Sequence, residues 1–171
     1  MPEDEGGVLN EEILSWIGKE GPPATAEVTK REIRQYATAV GIGQPDPLFT
    51  DEAYAKDTPY GGIVAPFLFH NVPFSGLRHV SESKEDGIPA GSLSGTPRAP
   101  IPLPRTMAGG TEVEYIRPIR PGDVLTQKAR IADITERRGS SGPLVFTTTE
   151  TTYTDASGQP VVIVRSTTIS R

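Results

Sequence analysis

The sequence predicts an α+β domain in which an antiparallel sheet wraps around a central apolar helix, and three observations carry that expectation. The run from Ile63 to Val72 is apolar on every side, as a helix buried all round must be. The last third of the chain consists of four β-branched, largely alternating segments divided by tight turns. The apolar run precedes the strands instead of alternating with them, which favours an antiparallel sheet packed on a helix over a parallel βαβ arrangement.

Along the chain, Asn10 can cap a short helix whose Ile13, Leu14, Trp16 and Ile17 form an apolar docking face, ended by Gly18 and Gly21-Pro22-Pro23. Residues 1–23 are therefore read as an N-terminal helical extension, and 24–171 as one domain. Ala24 to Val28 reads as a brief strand. It enters a second helix through the capping box Thr29-x-x-Glu32, with Ile33, Tyr36, Ala37 and Val40 at helical spacing before Gly41.

After the Pro45 and Pro47 turn, Asp51 can cap a helix through Lys56. Pro66 is tolerable only in a helix's first turn, which places the start of the apolar helix between Ile63 and Ala65 and its end between Pro73 and Gly76. Residues 78–107 are rich in Gly, Pro and Ser and predict a long loop, either functional or disordered. Thr111–Ile116, Val124–Thr135, Leu144–Tyr153 and Val161–Ser170 are the four strands.

Composition bounds the function. With 171 residues there is enough chain for one full core, and 18 Gly and 17 Pro promise many turns. A net charge of −5 argues against a nucleic-acid footprint but leaves small anionic ligands open, since a few Arg or Lys suffice for them. The absence of cysteine excludes disulfides, thiol nucleophiles and Cys-ligated zinc, and no metal-ligand pattern is seen. The acidic start Met1-Pro2-Glu3-Asp4-Glu5 is unlike a signal peptide and no run reaches membrane-spanning length, so a cytoplasmic protein without membrane contact is expected.

Two stretches carry the functional signal: Gly43-Gln44-Pro45-Asp46-Pro47-Leu48-Phe49-Thr50-Asp51, then Tyr60-Gly61-Gly62-Ile63-Val64-Ala65-Pro66. Taken alone, the first is a proline turn followed by a helix cap. Together, at this spacing, they resemble the hydratase motif of MaoC-like dehydratases and (R)-specific enoyl-CoA hydratases, Gly-Asp-x-Asn-Pro-x-His-x-Asp and then Phe-Gly-x-x-Ile-Ala-His-Gly. The resemblance covers roughly residues 24–170 and is nearest the N-terminal, FAS1-like dehydratase branch. It implies a single hot-dog fold, an acyl-CoA thioester as substrate and no separate cofactor.

Set onto this chain, the family's catalytic aspartate falls on Gln44 and its catalytic histidine on Phe49. Neither an amide nor a phenyl ring titrates near neutral pH, so neither can do general acid–base work. Asp46 stands where the family has asparagine, Pro66 where it has a second histidine, and Phe67 where it has glycine. Asp46, Tyr60, Gly61, Gly62, Ile63, Pro66 and Phe67 remain as substrate-binding candidates, with backbone N–H groups near Gly61 and Gly62 facing the thioester carbonyl.

The resemblance thus implies a dyad-free subunit that binds substrate beside a MaoC-like catalytic hot-dog partner. Such a subunit would widen the tunnel of a hydratase or dehydratase for long or bulky acyl chains. A homodimer would cover the exposed sheet edge equally well. A second reading is a self-sufficient homodimeric hydratase or thioesterase using His70 or Asp46, and a third is an acyl-CoA-binding regulatory module. His79 reads as a surface group, and Arg117 and Arg120, around the Pro-Gly turn, read either as partners for CoA phosphates or, more commonly, as solvated groups.

Overall fold

The computed structural model describes residues 7–41, 43–75, 95–140 and 142–171. In chain order these contain helix α1 (Glu11–Leu14), strand β1 (Ala24–Glu27), helices α2 (Lys30–Val40) and α3 (Glu52–Lys56), and strands β2 (Thr106–Tyr115), β3 (Val124–Gly139), β4 (Gly142–Thr154) and β5 (Pro160–Ser170). Single 3-10 turns span Pro47–Phe49 and Phe69–Phe74. The strands form one antiparallel sheet in the order β1-β3-β4-β5-β2. The α+β expectation and the antiparallel sheet are met.

Local chemistry starts the helices where the sequence places them. Thr29 accepts from the Glu32 N–H while the Glu32 carboxylate takes the Thr29 N–H, a complete capping box. Ile33 and Ala37 then lie one turn apart and are buried against the sheet. Asn10 caps α1 through the Ile13 N–H, although this helix is a single turn. Ile13 is buried, but Leu14 and Ile17 are exposed, so the expected four-residue apolar face reduces to Ile13 and Trp16.

The central apolar helix is not formed. Residues 63–66 run without helical bonds, Leu68 sits in the left-handed region at φ 65°, and only the 3-10 turn Phe69–Phe74 follows. Two prolines, Pro66 and Pro73, withhold the N–H groups a helix needs, and the Ala65 N–H goes instead to the Ile119 carbonyl at 2.8 Å. Ile63, Val64, Pro66, Phe69 and His70 are buried as expected, but Phe67 and Leu68 are exposed, and the backbone is irregular and satisfied by tertiary bonds.

Of the expected loop, residues 95–105 carry no helix or strand, and Thr106 and Met107 already belong to a strand. Of residues 78–107, those from 78 to 94, with His79, lie outside the described residues. Ala99, Ile101 and Leu103 pack with α1 on Ile131, Ile134 and Val145, and β2 already begins at Thr106, five residues before the expected Thr111. β3 likewise runs on past Thr135 to Gly139.

Side chains alternate along β4, so Val145 and Tyr153 share one face at its opposite ends. Val145 belongs to the cluster beneath α1, and Tyr153 to the larger cluster of Val28, Ile33, Phe69, Leu125 and Val162. One face of the sheet thus carries both cores. The other face holds a cross-strand ladder in which Glu150 lies opposite Arg130 and Arg165 and bonds both, at 2.7 Å and 2.9 Å.

Candidate functional site

The turn that carries Gln44 and Phe49 is built by its two prolines and by Asp46, whose carboxylate accepts the Leu48 N–H at 2.8 Å and caps the 3-10 turn. Gln44 and Asp46 are exposed. Phe49 points the other way and packs with Leu48 on the main core. The two positions aligned with an acid and a base therefore do not converge: one faces solvent and the other is half-buried hydrocarbon.

The second motif opens with Tyr60, whose carbonyl accepts a 2.5 Å bond from the Arg120 guanidinium. Gly61 and Gly62 follow with φ of 66° and 155°, where a Cβ would be strained, and they turn the chain into the buried pair Ile63 and Val64. Pro66 is buried. Phe67, by contrast, is 77% exposed and rests its ring edge-on against Tyr115, 5.3 Å between centroids. The Tyr115 hydroxyl accepts the Leu68 N–H at 2.7 Å, and Tyr36 donates to the Phe67 carbonyl at 3.3 Å, which together hold the irregular stretch.

His70 is 2% exposed, with its ring edge against Tyr153 and Tyr115 and its Nδ1 3.4 Å from the Tyr115 hydroxyl. Burial pushes its pKa below the ordinary 6.5. Burial likewise raises the Tyr153 phenol, which donates to Asn71 at 2.6 Å. The imidazole is neutral at physiological pH and enclosed by aromatic rings.

A cleft of about 570 Å³ opens where Gly61, Gly62 and Ile63 meet Lys30 of α2, Glu52, Ala53 and Lys56 of α3, and the turn at Arg120 and Pro121. Glu52 is paired with Lys30. The cleft thus collects four of the candidates read from sequence, Gly61, Gly62, Ile63 and Arg120, while Gln44, Asp46, Phe49, Tyr60, Pro66, Phe67 and His70 are not among its walls. Lys30 and Lys56 were not legible as site residues, because nothing local marks a lysine that only the tertiary fold brings beside Arg120. Arg117, three residues earlier, is instead committed to Asp123 and Asp155, and the hydrogen bond it donates to Asp123 holds its pKa up. Among the described residues no three His, Asp or Glu side chains converge as a metal site.

Residues 15–164 match the family model described as the FAS1-like, dehydratase domain region. The chain belongs to that family. A UPF0336 protein of Thermobifida fusca is 31% identical over 140 residues, covering 82% of this chain and 80% of its own. The fold of this chain is the hot dog, and it is shared with solved structures. A chain of the ChsH1-ChsH2 complex from Mycobacterium tuberculosis superposes with a TM-score of 0.68 at 20% identity, over 92% of this chain and 86% of that one. A chain of the HadBC (3R-hydroxyacyl-ACP dehydratase) complex from the same organism gives 0.63 at 19%, over 91% and 97%.

Proposed function

We propose that this chain is a non-catalytic, substrate-binding hot-dog subunit of a heteromeric enoyl-thioester hydratase or 3-hydroxyacyl-thioester dehydratase, active on long or bulky acyl chains. Its partner is a MaoC-like hot-dog subunit that carries the aspartate and histidine. The observation that carries this reading is the fate of the two aligned positions: Gln44 is exposed on its turn and Phe49 packs on the core. Adding water across an enoyl thioester requires a group that takes a proton from water and one that returns it to carbon, and neither side chain can do either.

The remaining candidates give little support to a self-sufficient enzyme. His70 is enclosed by Tyr115 and Tyr153, and the carboxylate of Asp46 is engaged in capping. Support for a two-component assembly comes from the fold shared with chains of the ChsH1-ChsH2 and HadBC complexes. The thioester carrier is CoA or, as in the name of the HadBC enzyme, an acyl carrier protein; the reaction uses no further cofactor and runs in the cytoplasm.

The test is hydration of crotonyl and longer enoyl thioesters by the purified chain alone and after addition of a MaoC-like subunit bearing the dyad. Turnover that appears only on mixing supports the reading. Turnover by the chain alone that is abolished by His70→Ala or Asp46→Ala replaces it with the self-sufficient enzyme. Acyl-thioester binding with no hydration in any pairing makes the chain a regulatory module.

A further inference from the structure

The geometry points to a phosphate-binding site in the cleft beneath Gly61 and Gly62, one that takes the phosphate of the pantetheine arm common to coenzyme A and holo carrier proteins; this rests on the reading that the chain binds an acyl thioester. Three cations from separate elements line the cleft, Lys30 at the start of α2, Lys56 at the end of α3, and Arg120 on the turn before β3. One carboxylate, Glu52, opposes them. In a chain of net charge −5 this is a local inversion of sign, and a concave low-dielectric wall strengthens such a field.

The guanidinium is held for this role. Arg120 spends one of its five donors on the Tyr60 carbonyl, and its backbone N–H is fixed by the Asp123 carboxylate at 2.8 Å. A planar fork anchored at one corner keeps further donors to meet phosphate oxygens. The two glycines keep the floor open: a Cβ at Gly62 would sit 3.7 Å from the Arg120 Nη1, and a Cβ at Gly61 would meet nothing within 4 Å. A side chain at Gly62 would project beside the arginine, where the ligand has to lie.

The walls also supply direction. Ala53, Ile63 and Pro121 line the cleft beside the cations, so a ligand with its phosphate at Arg120 has apolar side chains at hand for the part that follows. A phosphate followed by a long uncharged arm and an acyl group matches that polarity.

Titration calorimetry of this chain with coenzyme A, with pantetheine, and with apo and holo acyl carrier protein tests the assignment. Coenzyme A, holo carrier protein or both are expected to bind at least about tenfold more tightly than their phosphate-free or apo counterparts, the worth of one charge-assisted contact. The preference should shrink as salt rises. Arg120→Gln and Lys56→Gln should each reduce that preference several-fold, with far-ultraviolet circular dichroism confirming that both variants are folded. A phosphate preference confined to coenzyme A identifies the free cofactor as the source, and one confined to holo carrier protein identifies the carrier. Equal binding of each pair, no binding of any probe, or a preference untouched by both substitutions overturns the site. The hydration assay is read separately, so loss of this site and loss of the subunit reading are distinguishable.

Discussion

An imidazole pressed against two phenol rings loses hydration that its charged form cannot recover, and His70 accordingly has its pKa pushed below 6.5 by burial. The unfolded chain then binds the proton more readily than the folded one. Stability is therefore complete above about pH 6.5 and falls as pH drops below it, towards the folded-state value. Urea denaturation at pH 5 and pH 7 should show a larger loss for the wild type than for His70→Asn, and equal losses would refute the effect. Tyr153 tests the same cluster differently, because its hydroxyl is the buried end of a 2.6 Å bond to Asn71. Tyr153→Phe should cost about 0.5–1.5 kcal/mol by the same assay, since Asn71 is exposed enough to turn to water.

Helix starts are the elements most completely written in the sequence, because a cap is a bargain among residues three apart. Asp51 accepts from both Ala53 and Tyr54, at 2.9 Å and 3.1 Å, and Asp51→Ala should cost about 1 kcal/mol in a thermal melt. Ile13 is read just as locally, yet its worth depends on Ile131, Ile134 and Val145, more than a hundred residues away. Ile13→Ala should cost about 2–4 kcal/mol, and a loss under 1 kcal/mol would mean that α1 is a loose appendage. What the sequence did not yield has a common cause. Between Ile63 and Val72 the apolar composition predicts a buried helix, but Pro66, Pro73 and the left-handed Leu68 make the segment irregular. The first half of β2, Met107-Ala108-Gly109-Gly110, lacks strand formers and is a strand only because β5 pairs with it. Its register shifts there, Gly110 has φ 143°, and a Cβ on Gly109 would crowd Ile169 at 3.0 Å. Of the cleft, Gly61, Gly62, Ile63 and Arg120 are legible in the sequence, whereas Lys30 and Lys56 share no local pattern with them and arrive only through tertiary folding.

At the scale of the molecule, the sheet leaves two edges, β1 and β2, and they are not equivalent. β1 is four residues long, ends at Glu27 and is followed by the buried Val28, so it offers little to a second sheet. β2 is ten residues long and is exposed from Thr106 through Glu112, with its outer hydrogen-bonding groups turned away from β5. A long open edge associates unless something covers it. On the subunit reading that cover is the β2 edge of a second hot dog, which extends the antiparallel order into one continuous sheet. Placing lysines on that edge should discriminate this from association through the sheet face, since like charges facing across two added strands repel while those on a distant face do not. Ala108→Lys combined with Thr111→Lys should shift the chain, or its mixture with a MaoC-like partner, from dimer to monomer in sedimentation velocity at micromolar concentration. The control is Thr148→Lys with Thr152→Lys, two residues on the face of β4 that carries the Glu150 ladder, and it should leave the dimer intact. If the control dissociates the assembly and the edge variant does not, the sheets pack face to face and the open edge of β2 has another occupant.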